Sequence, residues 1–184
     1  MKRKQFMSLA ARGHNTVVLS KSKSIRGNSI WYAIAVARLL LGFTFLWAFF
    51  DKLYGLKHAT RPAQAWVHGG SPTESFLKAT QGPFAGLFHT LAGHGWVDWL
   101  FMIGLAGIGL ALLTGIAVRI AVVMGTVLLA MMWAASLPIH ANPVIDEHVF
   151  YIILLWIIFF GYPKQVLSLG SWWRGSLARW RWLW

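Results

Sequence analysis

The chain has 184 residues, of which 57% are hydrophobic and only 12% are charged, against the roughly 25% charged residues usual in soluble domains. This balance excludes an ordinary soluble domain and is typical of a protein that lies in a lipid bilayer. The net charge of +12 would suggest nucleic acid as the partner of a soluble protein. Here the basic residues lie mainly outside the apolar segments, so a membrane topology is the better interpretation of the charge. No nucleic-acid partner is therefore expected. The absence of cysteine excludes disulfides, iron–sulfur clusters, cysteine-attached haem and a thiolate nucleophile.

Residues 1–28 are basic and contain several serines, with no cleavage motif before the first apolar segment. We interpret them as a disordered cytosolic arm, with a transit peptide as the alternative because the segment lacks acids. The membrane domain is predicted to span residues 29–165.

Four apolar stretches are long enough to suggest transmembrane helices, which need roughly 20 apolar residues each. They are Trp31–Phe50, Val97–Gly115, Val118–Leu137 and His148–Gly161 with its flanks. The fourth stretch reaches this length if its helix begins at Pro143. Because so few residues separate the second stretch from the third, these two form a tight antiparallel hairpin. The sequence therefore predicts an all-α integral membrane protein with a four-helix bundle.

The distribution of Lys and Arg predicts the orientation of these helices. Basic residues concentrate before Trp31, at Arg119 and in the C-terminal tail, whereas the loop over residues 139–145 contains none. By the positive-inside rule both termini are cytoplasmic, and the loops over 51–96 and 138–145 lie outside. We therefore expect a multi-pass protein of the plasma or inner membrane.

The long outer loop contains signals for short amphipathic helices. "SPTES" places Ser71 at an N-cap, Pro72 next and Glu74 three residues after the cap, which is a capping box. "PFAGLFHTLAG" repeats apolar residues at helical spacing, namely Phe84, Leu87, Phe88 and Leu91. These helices are predicted to lie on the outer surface or over the mouth of the bundle.

The C-terminal tail, residues 166–184, interleaves tryptophan with arginine. Tryptophan favours the headgroup level of a bilayer, and arginine favours anionic lipid phosphates. The tail is therefore predicted to anchor at the membrane interface through Trp172, Trp173, Arg174, Arg179, Trp180, Arg181 and Trp182.

Small residues recur at four-residue spacing on the two central helices: Gly107, Ala111 and Gly115 on one, Ala121 and Gly125 on the other. Such spacing lets helix backbones approach closely inside a membrane. It predicts helix packing and carries no information about chemistry.

Arg38 lies near the inner third of the first helix, where no acid is predicted. Asp51 is roughly 20 Å further along the same helix, so the two cannot pair. The guanidinium must therefore bind carbonyls, hydroxyls, water, lipid phosphate or an anion. Two interpretations stay open: snorkelling to the inner headgroups, or contact with an anionic or quinone-like ligand.

All five acids are predicted at or beyond the outer ends of the helices. Asp51 and Lys52 end the first helix, and Asp146, Glu147 and His148 begin the fourth. Successive helical residues point 100° apart, so these three cannot all face the bundle. Glu147 shares a stripe with Tyr151, and we expect Glu147 to face inward.

This outer cluster has a purely structural alternative, in which Asn142 is the N-cap and the acids suit the helix dipole. The functional interpretation makes Asp51, Lys52, Asp146, Glu147 and His148 the catalytic candidates, with Lys52 pairing with an acid. A metal site built from His140, Glu147 and His148 is a weak hypothesis, because the spacing matches no specific ligand motif. No metal is therefore expected.

The chain resembles the DoxX/DoxD family of small four-helix membrane proteins. The matching stretches are "ARLLLGFTFLWAFFDKLYG", "GGSPTESFL", "GPFAGLFHTLAGHGWVDWLFMIGLAGIGLALLTG" and "NPVIDEHVFYIILL". The resemblance implies a four-helix membrane bundle whose polar features are Arg38, Asp51, Lys52, Asp146, Glu147 and His148. Some members look like the membrane subunit of thiosulfate:quinone oxidoreductase, and others are linked to membrane redox or oxidative-stress complexes.

The first functional hypothesis is accordingly a subunit of a quinone-linked oxidoreductase of the thiosulfate:quinone type, with quinone contacted by Arg38 or by the face of Glu147 and Tyr151. No redox cofactor is evident in the chain, so a bound quinone and a second subunit are the expected partners. The alternatives are a non-catalytic anchor for a soluble redox or oxidative-stress protein, and a small transporter, particularly as a homo-oligomer.

Overall fold

The computed structural model describes residues 29–139, 142, 144–161, 164 and 166–170. The predicted cytosolic arm, His140 and the tryptophans and arginines of the predicted tail lie outside these residues. Six α-helices are present in the described part: α1 Ser29–Tyr54, α2 Glu74–Ala79, α3 Ala85–Leu91, α4 Gly95–Thr114, α5 Val118–Ala135 and α6 Glu147–Gly161. Two 3₁₀ helices, Pro62–Gln64 and Trp66–His68, lie between α1 and α2. The all-α prediction is confirmed.

Three helices, α1, α4 and α5, are long and apolar enough to cross a membrane, with mean hydropathies of 2.0, 1.9 and 2.0. Helix α6 is equally apolar but has 15 residues. It rises about 22 Å, which is less than the roughly 30 Å of a hydrocarbon core. The predicted start of this helix at Pro143 is wrong, because residues 144–146 are not helical.

The turn between α4 and α5 consists of residues 115–117 alone. Gly115 ends α4 in the left-handed conformation, with φ of +74°, and its N–H donates to the carbonyl of Ala111. Glycine adopts this conformation without a steric penalty, which is why it terminates so many helices. The predicted tight hairpin is confirmed.

The long helices contact one another around a shared apolar core. Helix α5 lies between α4 and α6, since Gly125 approaches Ile108 on one side and Leu155 on the other. Helix α1 reaches α6 where Gly161 approaches Ile34. The core contains Leu41, Phe45, Met102, Leu105, Ile108, Leu112, Val118, Ala121, Val122, Leu129, Leu155 and Ile158.

These contacts define two ends of the molecule. We call one the basic end; it contains Ser29, Thr114, Val118 and Gly161. We call the other the acidic end; it contains Tyr54, Gly95, Ala135 and Glu147. All five acids of the chain lie at the acidic end, as the sequence predicted.

Helices α1 and α4 approach each other closely at Gly42 and Gly109. A Cβ atom at Gly109 would lie 2.7 Å from Leu46 Cγ and 2.9 Å from the backbone nitrogen of Leu46. The predicted close packing of helices is confirmed at Gly125 but is wrong at Gly107. Gly107 is exposed, and a Cβ atom there would meet no atom within 4 Å.

The short helices α2 and α3 pack at the acidic end through Leu77 and Phe88, which are buried together with Ala135 of α5. Ser71 Oγ accepts a hydrogen bond from the N–H of Glu74 at 3.0 Å, which is half of the predicted capping box. The prediction of Ser71 as the N-cap is wrong, because α2 begins at Glu74 and its N-cap is Thr73. The Glu74 carboxylate binds Lys78 Nζ at 2.6 Å. The predicted apolar face of α3 is buried at Phe88, whereas Phe84 and Leu87, two other residues of that predicted face, are exposed.

Candidate functional site

Asp51 lies in the last turn of α1 and is 2% exposed. Its carboxylate oxygens accept hydrogen bonds from the N–H groups of His58, at 3.2 Å, and Ala59, at 3.0 Å. These two donors belong to the chain just after it has turned back at Gly55, which has φ of +66°. Asp51 therefore holds the start of the long loop against the end of α1.

Lys52 contacts neutral groups. Its Nζ donates to the carbonyl of Pro72 at 3.2 Å and lies 5.7 Å from the centroid of the Phe101 ring. This distance is within the range of a cation–π interaction, which is roughly 6 Å. The predicted ion pair of Lys52 with an acid is wrong for the part of the chain that the structure describes, where the salt bridges join Lys78 to Glu74 and His148 to Asp146.

Asp98 lies in the first turn of α4 and is buried. Its Oδ1 accepts hydrogen bonds from Ser71 Oγ at 2.8 Å, Thr73 Oγ1 at 2.6 Å and the Thr73 N–H at 3.2 Å. Three donors on one oxygen join the segment before α2 to α4. Sequence reasoning did not find this link, although the hydroxyl residues of "SPTES" were the signal that could have found it.

Asp146 caps α6. Its Oδ1 accepts from the N–H groups of His148 at 3.0 Å and Val149 at 3.4 Å, and its Oδ2 lies 2.7 Å from His148 Nδ1. A side-chain oxygen that binds the first free N–H groups of a helix is an N-cap. The prediction of Asn142 as the cap is wrong, because its Oδ1 accepts from Val144 and Ile145, which precede the helix.

The prediction that Glu147 faces inward is also wrong. Glu147 is exposed, whereas the side chains of Asp146 and His148 are only 7% and 11% exposed. Tyr151, on the same stripe, is half-buried. The rotation of α6 about its axis follows the burial of His148, Leu155 and Ile158, and this places Glu147 on the outside.

Replacement of Asp146 by alanine is expected to destabilise the protein by about 1–2 kcal/mol, because the first N–H groups of α6 lose their acceptor. Thermal unfolding in detergent measures the change. Glu147→Ala is the matched control, since it removes the adjacent carboxylate that is exposed, and its effect is expected to stay within about 0.5 kcal/mol. Equal losses from the two substitutions would contradict the assignment of Asp146 as the cap.

Within the described ranges, no group of three or more His, Asp or Glu side chains is placed to hold a metal ion. His140, a residue of the weak metal hypothesis, lies outside those ranges. Glu147 is exposed, and His148 is bound through Nδ1 to Asp146.

Two cavities open at the acidic end. One of about 410 Å³ has a mixed lining that includes Thr80, Gln81, Ser136, Asp146 and Glu147. The other, of about 200 Å³, lies below α2 and α3 and between α4 and α5, and we call it the apolar cavity. Its wall is almost entirely hydrocarbon, and six of its lining residues are Lys52, Leu77, Phe88, Phe101, Leu128 and Met132. Lys52 is the cationic residue in this lining.

Arg38 lies at the basic end and is fully buried. Its Nη1 donates to the carbonyls of Leu112 and Leu113, and its Nη2 donates to the carbonyl of Leu167 at 2.7 Å. The last carbonyls of a helix have no partner within the helix, and a cation there is favoured by the helix dipole. Carbonyl groups, one of the partners predicted for the Arg38 guanidinium, are therefore confirmed as its partners. The snorkelling alternative is wrong, because the side chain does not reach the surface.

The residues after α6 also bind this end of α4. The N–H of Leu169 donates to the carbonyl of Thr114 at 2.9 Å, and Ser168 Oγ donates to the carbonyl of Gly115 at 3.3 Å. A Cβ atom at Gly115 would lie 2.1 Å from Ser168 Oγ and 3.0 Å from Arg38 Nη1. The absence of a side chain at Gly115 thus makes room for both groups.

No family model, curated protein or solved structure matches the chain. The resemblance to the DoxX/DoxD family rests on the sequence stretches quoted above, and membership of that family stays a prediction.

Proposed function

We propose that the protein is a DoxX-type four-helix membrane bundle with cytoplasmic termini that binds a membrane quinone in the apolar cavity. In this proposal it is a subunit of a quinone-linked oxidoreductase of the thiosulfate:quinone type. The observation that carries the proposal is a hydrocarbon-lined cavity with a cation, Lys52, in its wall. A quinone combines an apolar ring with hydrogen-bond acceptors, which is the complement of such a lining.

The geometry of the cavity supports a ring-sized occupant. Its volume of about 200 Å³ is below the roughly 300–1,000 Å³ typical of sites for drug-sized ligands. It would therefore hold the ring while an isoprenoid tail stays in the lipid. Leu100 and Met131 are exposed and also line the cavity, which gives access from the bilayer.

Lys52 would orient the ring. Its ammonium has three N–H donors, of which one is used on the carbonyl of Pro72, so a quinone carbonyl can accept another. The ring of Phe101 lies beside the same ammonium and forms part of the wall that excludes water. A bound quinone would supply the electron-accepting chemistry, and the electrons would come from a small sulfur donor or a second subunit.

The substitution Lys52→Met tests this proposal. We expect quinone retained by the purified protein to fall about tenfold or more, because a hydrogen bond from a charged donor contributes about 1.5–3 kcal/mol. Lipid extraction followed by chromatography measures the retained quinone, and thiosulfate-dependent quinone reduction is assayed on the same samples. Lys78→Met is the matched control, since Lys78 is an exposed lysine of α2 outside the lining of the cavity.

A wild-type protein that retains no quinone and reduces none would overturn the proposal. The second candidate, a non-catalytic membrane scaffold for a soluble redox partner, would then be favoured. One observation supports it: Asp51, Asp98 and Asp146 all accept hydrogen bonds from groups of the chain itself. Acids engaged in this way stabilise loops and helix ends and leave less capacity for proton transfer.

A further inference from the structure

A third cavity, which we call the lipid-facing groove, runs between α4 and α5. Its volume is about 360 Å³, and its lining is hydrocarbon that includes Gly104, Gly107, Ala111, Ala121, Met124 and Val127. The side of the groove is open to the bilayer, because Met124 and Val127 are 50% and 52% exposed. Residues 100–111 of α4 border the groove, which is a length of about 16 Å at about 1.5 Å per residue.

The groove is hollow because glycine occupies positions where a side chain would fill it. A Cβ atom at Gly107 would meet no atom within 4 Å, and one at Gly104 would meet only Leu128 Cδ2, at 3.9 Å. Glycine on a transmembrane helix often lets a second helix approach closely, as Gly109 does for α1. At Gly107 no helix of the described part takes up this space.

The lipid-facing groove adjoins the apolar cavity that holds the quinone ring in the proposed function. Leu100, Leu128 and Met131 line both. Leu100 and Met131 are exposed, and they are the residues through which the apolar cavity opens to the bilayer. A single hydrocarbon surface therefore has the ammonium of Lys52 at one end and extends along α4 toward the basic end at the other.

We propose that the lipid-facing groove binds the isoprenoid tail of the quinone, so that the ligand of this protein is a long-tailed polyprenyl quinone. This inference rests on the proposed function, because the ring must lie in the apolar cavity for its tail to enter the groove. The two cavities together fit a ligand with a neutral head that accepts a hydrogen bond from Lys52 and with a long hydrocarbon chain. A phospholipid fits them less well, because moving its charged phosphate into a hydrocarbon lining is costly.

Packing decides how strongly the tail prefers the groove to the surrounding lipid, because lipid chains are as apolar as the lining. Each pair of carbon atoms in contact contributes little, and only many pairs together give a measurable preference. We therefore expect the tail to improve binding about fivefold, which corresponds to about 1 kcal/mol.

The substitution Gly107→Leu tests the groove and leaves the contacts inside the bundle in place, because the new side chain starts from an empty space. A leucine side chain on a helix points toward the N-terminus of that helix, so it would cover the groove between Gly107 and Gly104. The full chain is purified in maltoside detergent and mixed with dimethoxymethylbenzoquinone, which has no tail, and with the same ring carrying a tetraprenyl tail. Native mass spectrometry measures how much of each quinone is retained.

We expect Gly107→Leu to reduce retention of the tetraprenyl quinone about fivefold, and to retain the tail-free ring at the wild-type level. Retention of the ring also shows that the variant is folded. Ala130→Leu is the matched control, because Ala130 is exposed on α5 and lies outside the linings of both cavities. This control should retain both quinones as the wild type does.

The outcomes separate this inference from the proposed function. Unchanged retention of the tetraprenyl quinone by Gly107→Leu would overturn the groove as the site of the tail. A wild-type dimer that Gly107→Leu dissociates in the same spectra would assign the groove to a second copy of the chain and overturn the tail as its occupant. Retention of the ring with no gain from the tail would overturn this inference alone, whereas retention of neither quinone would overturn the proposed function as well.

Discussion

Gly109→Ala is expected to destabilise the protein by about 1–3 kcal/mol, the usual effect of adding a methyl group to a packed interface. The new Cβ would lie 2.7 Å from Leu46 Cγ, 2.9 Å from the backbone nitrogen of Leu46 and 3.1 Å from the carbonyl oxygen of Gly42. Two of these three atoms belong to the backbone of α1, so they cannot move without moving the helix. Helices α1 and α4 must therefore separate, and thermal unfolding in detergent measures the loss.

Gly107→Ala is the matched control for this experiment. Gly107 lies on the same helix with a similar sequence environment, but a Cβ atom there would meet no atom within 4 Å. Its expected effect lies between zero and about 1 kcal/mol of stabilisation, because alanine has the higher helix propensity. If the two variants unfold at the same temperature, the close approach at Gly42 and Gly109 does not hold α1 to α4.

Asp98→Ala is expected to destabilise the acidic end by about 3 kcal/mol. The substitution leaves Ser71 Oγ and both Thr73 donors without their common acceptor, and an unsatisfied buried donor costs about 1–3 kcal/mol. The segment before α2 would detach from α4. Hydrogen exchange should then accelerate over residues 71–79, while exchange in the middle of α4 and α5 changes little.

Asp98→Asn controls for shape. Asparagine keeps an oxygen at the same position and loses the charge. The expected loss of stability is about 1 kcal/mol, because this is the difference between a hydrogen bond to a charged acceptor and one to a neutral acceptor. The contact would be unimportant if Asp98→Ala left both the unfolding temperature and the exchange of residues 71–79 at their wild-type values.

Local properties of the sequence were enough to predict the helices. Three of the four predicted spans agree with α1, α4 and α5 within a few residues, because apolar length is read directly from composition. The fourth prediction failed at its start. The sequence predicts Asn142 as the cap of this helix. Both Asn142 and Asp146 have a side-chain oxygen that accepts hydrogen bonds from the N–H groups that follow, and only the structure shows that Asp146 is the one at the start of α6.

Of the residues that line the apolar cavity, the sequence predicts a functional role for Lys52 alone, and the predicted quinone contacts Arg38 and Tyr151 lie outside that lining. Grouping of the acids at one end is correct, and Asp51, Asp98 and Asp146 all lie there. Their partners could not be predicted, because hydrogen bonds from His58, Ser71 or His148 depend on where loops cross the helix ends. The stripe that Glu147 shares with Tyr151 predicts an inward-facing Glu147, but in the structure Glu147 is exposed and Tyr151 is half-buried.

The sequence by itself determined, through its hydropathy and its charge distribution, that the chain is helical, apolar enough for a membrane and divided into a basic and an acidic end. These properties are local, because each depends on which residues follow one another. The tertiary structure alone decided that Gly109 and not Gly107 meets α1, that His148 and not Glu147 is buried, and that Arg38 binds the end of α4. Such choices depend on the rotation of each helix about its axis, and that rotation follows from packing between distant segments.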